Sequence, residues 1–192
     1  LLVVHPCDLH GLLVLDRTLL GAARDPWYEQ RRRETRVVGL NCRQPGPTCF
    51  CASFGTGPFF HEWMDQGPPD GCDILLTELD DGLLVEAFSP AGAEIFPHEL
   101  GRAAGDAAEH KQACEQQALD GFQKTLDTRN LPELLARNFD HPIWERVGEG
   151  RCLSCTNCTM VCPTCYCYDV FDDVALDGRT GVRRRQWDSC QD

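Results

Sequence analysis

The chain has 192 residues, of which 42% are apolar, and this is enough to build a hydrophobic core in one compact domain or two small ones. Thirty acidic against eighteen basic side chains leave a formal charge of -12, which argues against a broad basic surface for nucleic acid or anionic lipid. No apolar run approaches the roughly 20 residues that cross a bilayer, and the first residues lack the basic flank of a signal peptide. We therefore expect a cytoplasmic protein without a membrane span.

Residues 1–95 alternate short apolar strands with helical and turn segments, and this pattern predicts an α/β domain. We expect a strand at residues 1–4, followed by a helix that Asp8 caps and that ends at Gly21. Residues 36–40 predict a second strand. Each of these two strands is followed closely by a cysteine.

Two further strands, at residues 73–79 and 83–89, flank the turn sequence Asp80-Asp81-Gly82 and predict a hairpin. Glycine accepts the positive φ that tight turns need, and we assign that role to Gly82. From about residue 97 to residue 138 the sequence is rich in Ala, Leu and Gln, and its apolar positions repeat at helical spacing. This stretch predicts helices, with Cys114 as a small buried side chain.

Thirteen cysteines are the outstanding feature of the composition. Their odd number excludes complete pairing in disulfides, and secreted disulfide scaffolds are usually much shorter than this chain. In an intracellular protein, cysteine in this quantity more often indicates metal binding or catalysis. The spacing of the thiols along the chain therefore decides which chemistry the sequence predicts.

Residues 152–163 read CLSCTNCTMVCP and match the C-x2-C-x2-C-x3-C-P run of bacterial ferredoxins. The run predicts a [4Fe-4S] cluster with four candidate ligands, Cys152, Cys155, Cys158 and Cys162. The small residues Ser154, Thr156 and Asn157 let backbone N–H groups approach the cluster sulfurs and tune the potential. We accordingly divide the chain into an α/β domain over residues 1–95, a helical connector over 96–148 and a ferredoxin-like segment over 149–192.

The run does not determine which thiol is the fourth ligand of this cluster. In two-cluster ferredoxins the fourth cysteine ligates the neighbouring cluster, and its own cluster is completed from a second run. No second run is present, so either one follows Asp192 or the cluster is closed by a local thiol, Cys162, Cys165, Cys167 or Cys190. We expect the continuation.

Zinc is the alternative metal, because four thiolates can hold it tetrahedrally and staple a non-redox binding module. Its usual pattern has two C-x2-C pairs that are separated by a dozen or more residues. Here three thiols fall within seven positions and a fourth follows at once, which favours the cluster. A thioredoxin-like redox pair is disfavoured because further cysteines crowd the motif.

A second group of four thiols, near the start of the chain, comprises Cys7, Cys42, Cys49 and Cys51. If the first two strands are neighbours in one sheet, these thiols can converge at its carboxyl edge, where open α/β sheets place their sites. Four soft ligands then predict a second [4Fe-4S] cluster. The alternative is that these cysteines are scattered small side chains of the core.

Five stretches resemble the beta subunit of cytoplasmic sulfhydrogenase-type [NiFe] hydrogenases and the related A subunit of anaerobic sulfite reductase. They are residues 5–9, 25–28, 41–57, 152–169 and 183–190. Members of this family tend to have Arg where this chain has His5. They usually continue into a second ferredoxin run, which implies a further cluster if this chain continues.

The resemblance implies an electron-transfer subunit with no catalytic site of its own. Its partners would be a flavin-containing NAD(P)H reductase subunit and the small and large subunits of a [NiFe] hydrogenase, or the catalytic subunit of a sulfite reductase. It also supports the N-terminal cysteines as ligands. An enzyme that acts alone is the other alternative, although no Ser/His/Asp arrangement or histidine metal-ligand spacing is recognisable.

Overall fold

A computed structural model describes residues 1–61, 71–95, 101 and 105–188. The chain groups into two compact units, residues 1–131 and 132–192. Strands and helices are mixed along the chain, so the predicted α/β class is confirmed. The finer division at residues 95 and 148 stays a prediction.

A four-stranded sheet with the order β1-β2-β3-β4 forms the centre of the first unit. β1 (Leu2–Val4), β2 (Val37–Leu40) and β3 (Ile74–Glu78) are parallel, and β4 (Leu83–Ala87) runs antiparallel to β3. The two middle strands are largely apolar and buried, as strands covered on both faces are, whereas the edge strands β1 and β4 are more exposed.

The first helix, α1 (Pro6–Leu19), begins earlier than predicted. Its N-cap is His5, so Asp8 lies in the first turn and not at the cap. The reason is Pro6, whose fixed φ suits the first helical position and whose missing N–H needs no partner there. Asp8 still lies where a negative charge favours the helix dipole.

A second helix, α2 (Pro26–Glu34), was absent from the sequence prediction. The signal for it is Asp25 followed by proline, a capping residue before a residue that suits the first helical turn. The carboxylate of Asp25 accepts hydrogen bonds from the backbone N–H groups of Trp27 and Tyr28, each at 3.0 Å. The cap thus starts α2 although the sequence of this helix is mostly polar.

The core of the first unit lies between α1 and the middle strands. Its buried members are Leu9, Val37, Phe60, Cys72 and Leu75. A smaller cluster joins Phe59 to Cys114 and Ala118. Cys114 is therefore the small buried side chain that the sequence predicted.

The predicted hairpin is present between β3 and β4, but the role assigned to Gly82 is wrong. Gly82 does not adopt a positive φ. Its carbonyl accepts a hydrogen bond of 2.8 Å from the N–H of Leu79, just beyond the last pair of the ladder, Glu78 and Leu83. The two aspartates between them form the turn itself, and the conformational freedom of glycine is not used.

Helices follow the sheet over much of the stretch that the sequence predicted to be helical, but residues 121–130, which belong to that stretch, form no helix. Residues 96–100 and 102–104, which belong to the predicted helical stretch, lie outside the described residues. The helices are α3 (Pro90–Ile95), α4 (Ala107–Asp120), α5 (Leu131–Arg137) and α6 (Ile143–Gly148). In the described ranges, no helix combines the length and the apolar character that crossing a membrane requires.

The second unit contains one further short helix, α7 (Asn157–Met160), and a hairpin of β5 (Tyr168–Val174) and β6 (Gly181–Trp187). Among the side chains that the structure describes in residues 132–188, only those of Thr159 and Cys165 are buried. Apolar side chains such as Leu153, Met160 and Leu176 are instead exposed. This part of the unit has no hydrophobic core comparable to that of the sheet.

Asp73 connects α3 to the two middle strands of the sheet. Its carboxylate accepts hydrogen bonds from the N–H of Val37 at 2.8 Å and from the hydroxyl of Ser89 at 2.5 Å. The same hydroxyl accepts a hydrogen bond of 2.9 Å from the N–H of Gly92. A Cβ at Gly92 would lie 2.1 Å from the carbonyl oxygen of Asp73, so only glycine allows α3 to approach the sheet.

We predict that Gly92→Ala destabilises the first unit by about 1–3 kcal/mol, because the added methyl group overlaps a backbone atom that is itself held by the sheet. Chemical denaturation followed by far-UV circular dichroism measures the change. Gly82→Ala is the matched control, since a Cβ there meets no atom within 4 Å. Equal stability of the Gly92→Ala protein and the parent would contradict this description of α3.

Candidate metal centres

The carboxyl edge of the parallel strands gathers the first two candidate ligands. β1 and β2 are neighbours, with Val4 paired to Gly39, as the sequence interpretation required. Cys7 lies at the start of α1, just after β1, and Cys42 follows β2. Because parallel strands end on the same edge, both cysteines leave the sheet on one side.

His5, which stands where members of the resembled family tend to have Arg, also joins these two strand ends. Its Nδ1 atom lies 2.9 Å from the carbonyl oxygen of Leu40. Since a carbonyl only accepts, this contact requires the proton on Nδ1. His5 thus links the start of α1, which carries Cys7, to the end of β2, which Cys42 follows.

Cys49 and Cys51 come from the loop that follows β2. The N–H of Cys49 donates to the carbonyl of Gly46 at 3.0 Å and closes a tight turn. Cys51 begins a 3-10 helix, Cys51–Phe54, which ends at Gly55 with φ at 66°. Thr56 folds back onto this helix, because its N–H donates to the Cys51 carbonyl at 3.2 Å.

The loop reaches the start of α1 at Gly57. A Cβ at this glycine would lie 3.0 Å from the Sγ of Cys51 and 3.9 Å from the Cβ of Pro6. Gly57 therefore lies between the thiol of Cys51 and the first turn of the helix that carries Cys7. Gly57 belongs to the glycine-rich stretch 53–58, which the sequence predicts to be a turn that covers the cluster.

Electrostatic interactions connect all four thiols of this group, with Cys51 as their common member. Burial is the largest cause that raises the pKa of Cys7 to about 11, and the charges of Asp8 and Cys51 add to it. Burial also raises the pKa of Cys42, with a contribution from Cys49. The pKa of Cys51 is raised by burial first, then by Cys49 and Cys42. Although Cys7 is exposed as a whole residue, protein atoms around its thiol remove part of its hydration.

These four thiols suit a soft, positively charged metal group. The raised pKa values of Cys7, Cys42 and Cys51 keep these metal-free thiols protonated near neutral pH, so a bound cation would displace their protons and neutralise the repulsion between thiolates. In the described ranges, no three or more His, Cys, Asp or Glu side chains surround one point closely enough to hold a single metal ion. A cube of four irons and four sulfides occupies more space and separates its thiolates more widely than one ion does.

The C-terminal run lies on a loop and on α7, and its four candidate ligands are exposed. Ser154 and Thr156, which separate the first ligands, both take left-handed backbone conformations with φ at 49° and 56°. In such a conformation the N–H of Ser154 donates to the Sγ of Cys152 at 3.4 Å. Non-glycine residues adopt this region only when their surroundings impose it, and here the result is an N–H directed at a candidate sulfur ligand.

Cys162 differs from the N-terminal thiols, because its surroundings favour the thiolate. Its Sγ lies 3.2 Å from the hydroxyl oxygen of Thr164. Hydrogen bonds from the hydroxyl of Thr164 and then from its backbone N–H lower the pKa of Cys162. The neighbouring Cys165 is buried and donates its backbone N–H to the Cys162 carbonyl at 3.2 Å. Cys190, another possible closing ligand, lies outside the described residues.

Comparisons with known proteins agree with the chemistry of these thiols. Residues 151–192 match the family described as 4Fe-4S dicluster domain, which indicates iron–sulfur clusters as the cofactor. The chain is 38% identical to sulfhydrogenase 2 subunit beta of Pyrococcus furiosus over 191 residues. This alignment covers 97% of the chain but 53% of the relative, so the chain spans about half the length of that protein.

No solved structure matches the chain. The resemblance inferred from the five sequence stretches is confirmed by the alignment, which extends through both thiol groups. The chain is thus similar over nearly its whole length to a sulfhydrogenase beta subunit, and its residues 151–192 match the 4Fe-4S dicluster domain.

Proposed function

We propose that this chain is an iron–sulfur electron-transfer subunit of a cytoplasmic oxidoreductase complex. It relays electrons between a flavin-containing NAD(P)H reductase subunit and the small and large subunits of a [NiFe] hydrogenase. The observation that carries the proposal is the presence of two separate sets of soft ligands, one at the edge of the sheet and one in the dicluster segment. Iron–sulfur clusters bound there would supply one-electron redox chemistry, and the protein would supply their ligands and hydrogen bonds.

The ligands of the two proposed [4Fe-4S] clusters come from different parts of the chain. The dicluster segment contributes Cys152, Cys155 and Cys158, with Cys162 as a ligand of the same cluster or of a further one if the chain continues. The edge of the sheet contributes Cys7, Cys42, Cys49 and Cys51. We also propose that the C-terminal segment folds in a ferredoxin-like manner around its cluster.

We predict that Cys51→Ala lowers the iron content of the anaerobically purified protein by about four atoms per chain, the content of one [4Fe-4S] cluster. Cys51 is the most informative position because its thiol interacts with the three other members of the N-terminal group. Iron and acid-labile sulfide analysis measures the loss.

Cys114→Ala is the matched control, because this cysteine is buried against Phe59 and Ala118 in the smaller core cluster. Its iron content should equal that of the parent. If Cys51→Ala retains all its iron, or if the parent contains zinc without iron, the N-terminal cluster is refuted.

We predict that anaerobic iron removal unfolds the second unit while the first unit keeps its sheet. Where structural metals hold small domains, the binding free energy is folding free energy. The described residues of the second unit bury almost no side chains, whereas β2 and β3 are buried. Hydrogen exchange should become at least roughly tenfold faster at the amides of β5 and β6 but change little at those of β2 and β3. Unchanged exchange in β5 and β6 after iron removal would show that the hairpin folds without the metal.

We predict that the chain passes electrons but does not turn over substrates alone. With the flavin subunit, NAD(P)H should reduce the visible absorption of its clusters, and adding the hydrogenase subunits should reoxidise them with release of hydrogen. Cys155→Ser should interrupt this transfer without changing reduction of the flavin. Reoxidation by a sulfite reductase catalytic subunit, in place of the hydrogenase subunits, would assign the relay to that complex. Sustained turnover by the chain without partners would refute the relay.

A further inference from the structure

The loop that carries Cys49 and Cys51 is closed at its base by two hydrogen bonds. At one end of the loop is Cys42, whose N–H donates to the carbonyl of Pro58 at 3.0 Å. The second bond involves Asn41, the residue directly before Cys42. The Oδ1 atom of Asn41 accepts a hydrogen bond of 2.8 Å from the N–H of Phe60. The two ends of the loop are therefore held side by side, as in compact loops that keep a fixed shape.

Asn41 also anchors this base to the sheet. Its Nδ2 donates to the hydroxyl of Thr77 at 2.8 Å, and its backbone N–H donates to the carbonyl of Leu76 at 2.9 Å. Asn41 is 2% exposed and Thr77 is fully buried, so both groups are shielded from water. A buried amide whose donor and acceptor are both used fixes a single arrangement, because any displacement leaves polar groups without partners.

We propose that Asn41 is a positioning residue for the N-terminal cluster. It holds Cys42 in register with the returning end of the loop, where Gly57 contacts the thiol of Cys51. The juxtaposition of Cys42 with Cys51 thus depends on a side chain that is buried and hydrogen-bonded to Thr77 and Phe60. This inference rests on the proposed cluster at Cys7, Cys42, Cys49 and Cys51.

An apolar side chain at position 41 could not take the place of Asn41. Leu or Ala at this position would leave the hydroxyl of Thr77 and the N–H of Phe60 buried without the bonds that Asn41 makes. Phe60 and Phe59 would stay in the core and the backbone bond between Cys42 and Pro58 would remain, but the side-chain bond that ties the returning end of the loop to Asn41 would be lost. The expected defect is therefore local to the thiol loop.

The test is the rate at which the full chain releases iron to a chelator under anaerobic conditions. The parent should release iron in two phases, and Cys51→Ala identifies the phase of the N-terminal cluster by removing it. Asn41→Ala should accelerate that phase by roughly 10–100-fold, if the release rate follows the factor by which outer-shell residues change metal affinity. It should also alter the electron paramagnetic resonance signal of that cluster while the other signal stays unchanged.

Two further variants separate positioning from general loss of stability. Leu75→Ala removes a buried side chain of the same sheet and should leave the rate of both phases close to that of the parent. Thr77→Val keeps the bond between Asn41 and Phe60 and should accelerate the N-terminal phase less than Asn41→Ala does. It also provides a folded variant if Asn41→Ala does not accumulate.

The outcomes distinguish this inference from the proposed function. If the parent shows no phase that Cys51→Ala removes, the N-terminal cluster is absent and the inference falls with it. If that phase exists but Asn41→Ala leaves its rate and its signal unchanged, the inference alone is overturned. The same conclusion follows if Leu75→Ala accelerates the phase as much, or if Thr77→Val has no effect when it is the only folded variant.

Discussion

The parallel pairing of β1 with β2 is the constraint on which the N-terminal site depends. Each strand is followed closely by a cysteine, and the pairing of Val4 with Gly39 makes both strands end at one edge of the sheet. An antiparallel pairing would send Cys7 and Cys42 to opposite edges. The loop after β2 then needs only to fold back on itself to bring Cys49 and Cys51 to the same place.

The two units of the chain are stabilised in different ways. The first has a buried sheet and a core around Leu9 and Leu75, so its thiol site is attached to a framework with a hydrophobic core of its own. The described part of the second has buried Thr159 and Cys165 but exposes most of its apolar side chains. A relay subunit with this construction would combine one cluster on a rigid scaffold with another that organises its own segment.

Much of the first unit follows from local sequence patterns, because buried strands and a hairpin have short signals. Residues 1–4 and 36–40 are examples, and the run that begins at Cys152 identified the dicluster segment without any structure. The start of α1 was misplaced because Asp8 looks like a cap only until Pro6 is considered. Asn41 carries no pattern of its own, since its role comes from Thr77 and Phe60, which are distant in sequence.

The hairpin of β5 and β6 shows why some elements escape sequence reasoning. β5 is rich in aspartate, which is uncommon in strands, and the arginines of β6 resemble a solvated surface. In the structure Asp172 is paired with Arg183 across the hairpin, with N–O distances of 2.7 and 2.8 Å, and Arg184 forms an ion pair with Asp173. Such cross-strand pairs stabilise a hairpin only after its register is set.

The most direct test of the relay function is a redox titration of the anaerobically purified full chain, followed by electron paramagnetic resonance. We predict at least two one-electron steps from separate iron–sulfur clusters, and a sample that shows no iron–sulfur signal at any potential would contradict the relay function.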